Sequence, residues 1–314
     1  MYPNYTHTFM PPRQSSRALG ANEVAIYRRL VNPSGPKLLT LDEVKSNLTG
    51  TIGSNNLAHA LSSLESKGVL RRVAKGLYLN ESTGYAPKVV DIIPSVFKPS
   101  RYYLGLNAVA NHWGLSPQIP YSYQVVYLPV DEAQRKRIAR WCLLLKKAER
   151  DLGGTLTPVA ARSGSIIERG LSQAILDGAQ LPISTIEQTL VDAVLYTEEI
   201  GGAGEALLWA KAALSKSVDY DELDRIVHEV HERVNSVAGR FGFLIETALR
   251  EREGDAERKS SVDALLTTLE RLASRTRATY NWGPEKTKAE YFEKWHLHVS
   301  VNYLNQLRET SSFE

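Results

Sequence analysis

Leu57, Leu61 and Leu64 fall at i, i+4 and i+7, so one apolar stripe runs along a helix that begins near residue 54. Ser54 or Asn55 is suited to cap its start. Upstream, residues 21–31 place Val24, Ala25 and Leu30 on a helical pattern, which Asn-Pro-Ser-Gly-Pro at 32–36 breaks. Thr40, with Glu43 three residues on, forms a capping box for a short helix from 41 to about 48, ended by Thr-Gly-Thr-Ile-Gly at 49–53. After Gly68, residues 69–73 and 77–79 read as strands joined by Ala74, Lys75 and Gly76. Three helices and a hairpin in about sixty residues is the order of a winged helix-turn-helix.

A second region begins near Pro87. Residues 104–113 read as a helix that Gly114 ends, and 123–128 (YQVVYL) as a strand. Residues 131–152 read as a long basic helix with Ile138, Leu143 and Leu144 toward the core. Residues 156–161 and 180–183 look like strands, while 166–174 fits either type. Thr185 caps a helix running to about 196, in which Glu187 favours the positive end of the helix dipole and Leu190, Val191 and Val194 form the apolar stripe. Helical patterns follow at 203–215, 219–233, 235–252 and 260–276, the last carrying Val262, Leu265, Leu266, Leu269 and Leu272. Residues 295–302 (WHLHVSVN) alternate as a strand does. No internal repeat or low-complexity segment is present.

The expected fold class is α+β. Residues 1–18 form an N-terminal arm and 19–82 the winged helix-turn-helix. The domain at 87–314 divides into a strand-containing part (87–184), a mainly helical part (185–280) and a terminal strand near 295–302.

A chain of 314 residues with 43% hydrophobic and 23% charged residues has the composition of a soluble globular protein with two or three domains. No apolar run approaches the ~20 residues of a membrane span, and the N-terminus lacks the pattern of a secretory signal. Both point to a cytoplasmic protein with no membrane partner. The single cysteine, Cys142, excludes an internal disulfide and lies in an apolar stretch that suits a buried structural thiol. Net charge is +3, but residues 1–85 hold ten Lys/Arg against five Asp/Glu, while the remainder holds 28 against 30. The basic excess therefore sits with the winged-helix pattern, as nucleic-acid binding requires.

With the leucine stripe turned inward, the third helix presents Asn55, Asn56, His59, Ser62 and Ser63. Asparagine suits the N6 and N7 edge of adenine, and serine suits bases or phosphate. The wing supplies Arg71, Arg72 and Lys75, and the first helix Arg28 and Arg29, for the DNA backbone. Strand alternation puts Arg71 and Arg72 on opposite faces, so at most one points straight at a phosphate. A winged-helix module that binds protein is the competing reading, since the third helix has no Arg or Lys among its central residues. A second basic surface follows from Arg135, Lys136, Arg137, Arg140, Lys146, Lys147 and Arg150, seven positive charges against two negative between 132 and 150. That imbalance exceeds what i,i+4 pairing explains and suits a wider DNA footprint or an acidic or RNA-bearing partner. Residues 198–255 carry the opposite bias, thirteen acidic against seven basic.

Several chemical constellations fail on spacing. His228 and His231 are three apart rather than four, so they read as exposed helical residues and not a zinc-protease pair. His296 and His298 share one strand face but have no third ligand nearby. The glycines at 201, 202 and 204 do not follow a strand with dinucleotide-binding spacing, and no Walker or G-x-S-x-G sequence occurs. No metal, cofactor or catalytic residue is expected, and the enzyme class has no positive support.

Four segments together resemble the AbiEi family, antitoxins and transcriptional regulators of type IV toxin–antitoxin systems. They are LRRVAKGLYL at 70–79, YYLGLNAVANHWGLSPQIP at 102–120, ISTIEQTLVDAV at 183–194 and GRFGFLIE at 239–246. One position departs: Gln188 stands where the family often has Arg. The resemblance implies that the winged helix binds inverted repeats in double-stranded DNA at its own promoter and represses transcription. It also implies that the larger domain counters a cognate nucleotidyltransferase-like toxin. Inverted repeats suit a homodimer on DNA. A winged-helix regulator with no toxin, responsive to a small ligand, is the alternative.

Overall fold

The computed structural model describes residues 18–74, 76–82, 87–162, 170–250, 256–275, 278–284 and 288–312. In chain order the elements begin with α1 (Ala21–Ile26), β1 (Leu38–Thr40), α2 (Leu41–Leu48), α3 (Ser54–Ser66), β2 (Leu70–Ala74) and β3 (Leu77–Asn80). Then come α4 (Val89–Phe97), β4 (Arg101–Leu104), α5 (Asn107–Ala110), β5 (Ser122–Leu128), α6 (Glu132–Leu145), α7 (Glu149–Leu152) and β6 (Thr155–Ala160). The chain continues through β7 (Leu171–Leu176), β8 (Ala179–Ser184), α8 (Ile186–Leu195), α9 (Ala203–Ala213), α10 (Tyr220–His231), α11 (Val237–Leu249) and α12 (Ala256–Ser274). It closes with β9 (Tyr280–Trp282), β10 (Ala289–Phe292), β11 (Leu297–Ser300) and α13 (Val301–Ser312). The architecture is α+β, and among the described residues no helix is long and apolar enough to cross a membrane.

The chain divides into two compact units, and the division is not sequential. The first takes in residues 1–99 and 131–156, the second 100–130 and 157–314. The boundary expected near residue 87 therefore does not follow the packing. Residues 131–156 belong with the N-terminal part because α6 lies against α4 and β2.

In the first unit, Leu57, Ala60, Leu61 and Leu64 of α3 are buried with Ile26, Leu30, Val44, Leu48 and Leu70, as the leucine stripe requires. Thr40 caps α2 with the expected reciprocal bonds: Glu43 N–H donates to Thr40 Oγ1 at 3.1 Å and Thr40 N–H to Glu43 Oε2 at 2.8 Å. Gly53, rather than Ser54 or Asn55, occupies the N-cap of α3, which frees both polar side chains for the surface. Residues 27–31 continue α1 as a π-helical turn. The strands form an antiparallel sheet in the order β1-β3-β2, with a bulge between Arg72 and Ala74. The short β1 has no alternation of its own to betray it: all three residues are buried.

In the second unit, a five-stranded sheet in the order β6-β5-β4-β8-β7 leads into the helices. Every residue from Glu187 to Leu195 of α8 is buried, so this helix is the centre of the core and α9, α10 and α11 pack around it. The sequence stripe marks only part of that burial. Two expectations are corrected here. Residues 101–104 form β4, and only the four-residue α5 is helical before Gly114. The terminal strand ends at Ser300, after which α13 follows directly. β9 and β10 complete a small sheet in the order β10-β11-β9.

Candidate nucleic-acid interface

On α3, Asn55, Asn56, His59 and Ser62 are exposed. Residues 55, 59 and 62 are spaced by one and two turns, which places them on one face opposite the buried leucines. Ser63 departs from this face. It is half-buried and its hydroxyl bonds to Glu23 of α1. Glu23 is itself buried: burial pushes its carboxyl up, but Lys67, Ser63 and the Gly20 N–H together hold it below the usual carboxylate value. The Lys67–Glu23 ion pair, 2.5 Å, fastens the end of α3 to α1. Its partners lie far apart in the chain, so no local spacing reveals it.

The two arginines of β2 differ. Arg71 is engaged by two carboxylates, Glu81 at 2.5 Å and Asp151 at 2.5 Å, and so ties the hairpin to α7. Arg72 is exposed. Lys75 lies outside the described residues, as does the arm up to residue 17. Arg28 and Arg29 are exposed, and Arg29 Nη1 donates to the Asn47 carbonyl (3.1 Å) and Thr51 Oγ1 (3.2 Å) beyond α2. Its head is thereby fixed near the turn that precedes α3.

The basic helix is capped by Asp131, whose carboxylate accepts from Gln134 N–H at 2.6 Å. Ile138, Cys142 and Leu145 are buried, and burial pushes the Cys142 thiol up to about 12. Leu143 is 68% exposed, not core-facing as its apolar character suggests. It shares a helical face with Lys136, Arg140 and Lys147. Arg137 is structural: Nη2 donates to the Lys98 carbonyl at 2.8 Å and the guanidinium lies over the Trp141 ring at 4.8 Å. Among the described residues, Arg135 and Lys136 make only long contacts with Glu132, 3.8 and 3.9 Å. Arg140, Lys146, Lys147 and Arg150 are exposed.

Charge follows the unit boundary more closely than the sequence boundary. The first unit holds 19 Lys/Arg against 10 Asp/Glu, net +9, and the second 19 against 25, net −6. The two basic surfaces expected separately thus belong to one compact body.

No family model matches the chain, and no curated protein matches it. The fold is similar to the crystal structure of the Rv2827c protein from Mycobacterium tuberculosis, with a TM-score of 0.56 and 14% sequence identity, covering 96% of this chain and 98% of that chain. At that identity the likeness is one of fold alone.

The remaining segments singled out in the sequence have structural roles in the second unit. In 183–194, Thr185 accepts from Gln188 N–H at 3.3 Å, and Glu187 accepts from the Asp219 N–H at 3.1 Å, which joins α8 to the start of α10. Gln188 Nε2 donates to Asp192 Oδ1 at 2.8 Å, and the Tyr103 hydroxyl donates to the same carboxyl at 3.0 Å. In 102–120, Trp113 Nε1 donates to the Ser184 carbonyl at 2.8 Å. In 239–246, a methyl at Gly242 would overlap the Trp295 ring, and Trp295 Nε1 donates to Glu246 Oε2 at 2.8 Å. His231 is buried rather than exposed, and burial holds its imidazole below the usual value. His296 sits in a left-handed cap before β11, so it does not share a strand face with His298.

A cavity of about 770 Å³ also lies in this unit, lined by Asn111, Ser116, Gln118, Glu205, Leu208 and Lys211 among others. No sequence pattern signals it, because its residues come from three segments far apart in the chain, the loop at 111–118, α9 and Ala248 of α11.

Proposed function

We propose that the chain is a winged-helix DNA-binding regulator that represses its own promoter through inverted repeats and acts as the antitoxin to a nucleotidyltransferase-like toxin. The observation that carries the DNA reading is the net charge of +9 gathered on the unit that holds α3, the β2–β3 hairpin and α6. DNA binding draws most of its affinity from such charge, and its sequence preference from groups on base edges. Here α3 takes the place of the recognition helix, with Asn55, Asn56, His59 and Ser62 toward bases, while Arg72, Arg140, Lys146, Lys147 and Arg150 meet phosphates. Arg71 serves the fold instead. The antitoxin part rests on the AbiEi-like segments, and its partners are promoter DNA and the toxin.

The test is fluorescence anisotropy with promoter and random duplexes. Asn55→Ala or Asn56→Ala is expected to narrow the gap between the two DNAs, whereas Lys75→Ala weakens both equally. Equal loss on both DNAs for all three variants would overturn the assignment of α3. Co-expression with a neighbouring nucleotidyltransferase-fold protein should relieve its toxicity, and co-purification decides whether relief uses direct contact.

The cavity favours a second reading, a regulator responsive to a small ligand. Its volume lies within the few hundred to about 1,000 Å³ usual for such sites, and polar groups converge on it. Operator affinity that changes with a metabolite, in cells lacking any toxin, would select this reading.

A further inference from the structure

We infer that strand β7 is a self-association surface, on which a second copy of this chain adds its own β7 in antiparallel fashion about a two-fold axis through Gln173. β7 is an edge of the five-stranded sheet, and none of its six residues is buried. Exposed sheet edges are ordinarily protected by charge, proline or brevity. The other edges follow that rule. β6 carries Pro158, β2 carries Arg71 and Arg72, β10 carries Glu290, and β1 and β9 are three residues long. β7, Leu-Ser-Gln-Ala-Ile-Leu, has neither charge nor proline, and Ile175 is 76% exposed.

The ladder fixes which backbone groups face outward. β7 and β8 form a hairpin whose closing pair is Leu176 and Ala179, with Asp177 and Gly178 at φ 50° and 91°. Such a two-residue turn makes the closing pair a hydrogen-bonded one. At the other end, Thr185 N–H donates to the Gly170 carbonyl at 2.7 Å, which gives the same phase. Residues 170, 172, 174 and 176 therefore bond to β8, and Leu171, Gln173 and Ile175 turn their N–H and C=O groups away from it. Pro182, which has no N–H, sits opposite Gln173, where this phase requires none. Among the described residues nothing pairs with the outer edge.

A two-fold axis through Gln173 satisfies the backbone and the side chains together. Leu171 then faces Ile175 of the second copy, Gln173 faces its own counterpart, and Ile175 faces Leu171. These are the three outward residues, so the facing pairs exchange about six hydrogen bonds. Two apolar pairs flank an amide pair, and no like charges meet. A strand from an unrelated partner would gain the backbone bonds but not this match. The inference deepens the DNA reading only in that a two-fold protein suits an inverted repeat, and its test uses no DNA.

The experiment is sedimentation of the full chain over a concentration series, with Gln173→Lys, with Gln173→Glu and with their mixture. The wild type is expected to move from monomer to dimer as concentration rises. Each variant alone, with like charges at the axis, stays monomeric, and the mixture of the two recovers the dimer. Recovery also shows that both variants fold. A wild type that is monomeric at the highest soluble concentration, variants that dimerise like the wild type, or a mixture that stays monomeric would each overturn the proposal. Gln173→Pro removes only an outward N–H, so it should abolish the dimer and leave the hairpin intact.

Discussion

Asp192 accepts hydrogen bonds from Tyr103 and Gln188, and among the described residues no cation pairs with it. Burial pushes its carboxyl up from 3.8 to about 7, against the partial relief that these two donors give. The folded chain thus holds a proton on Asp192 where the unfolded chain has released it. Stability contributed through this group is therefore greatest below about pH 4, falls as pH rises toward 7, and is flat above. The gap corresponds to about 4 kcal/mol across that window. Asp192→Asn is expected to raise the Tm at pH 8 while leaving it nearly unchanged at pH 4, read by thermal denaturation at both values. An equal shift at both would mean that the carboxyl is not titrating in the fold. The sequence shows an apolar helix with an aspartate in it. It cannot show that the aspartate faces Tyr103, which lies 89 residues away.

At the scale of elements, α11 explains why Gly-Arg-Phe-Gly-Phe-Leu-Ile-Glu has the form it has. Gly239 and Gly242 leave room for the Trp295 backbone and ring, Glu246 accepts the indole N–H, and Arg240 Nη2 donates to the Asn281 carbonyl at 2.8 Å. Gly242→Ala introduces a methyl where the Trp295 ring already lies. It is expected to cost about 1–3 kcal/mol in chemical denaturation, the usual range for overpacking. No loss would show that α11 and the tail shift freely. Elements with a strong local signal were legible in the sequence: the leucine stripe of α3, the capping box of α2, the apolar run of β5 and the cap at Thr185. Those stabilised only by remote partners were not. β1 is three buried residues held by β3, β4 is the middle strand of its sheet, and α13 follows β11 with no break. Leu143 misled for the opposite reason, since an exposed leucine looks the same in sequence as a buried one.

Across the whole molecule, charge is segregated by unit, and the candidate interface is the part that this changed most. The separate basic stretches were visible in the sequence, but their union on one body was not, because residues 100–130, which belong to the second unit, lie between them. If Arg140 and Lys147 bind phosphates, Arg140→Glu with Lys147→Glu should weaken operator binding. It should also lower the slope of log affinity against log salt by about 2, near 0.9 for each phosphate no longer neutralised. An unchanged slope would confine the footprint to α3 and the hairpin. The discontinuous first unit also has a consequence for synthesis. The chain leaves that unit at residue 99 and returns at 131, so α4 and β2 await α6 while the intervening strands are made. On a ribosome the basic body cannot close until residue 156 has emerged. A nascent chain stalled so that residue 99 but not 131 has left the ribosome should be cut by protease within α4 or the hairpin, and one stalled well past 156 should resist.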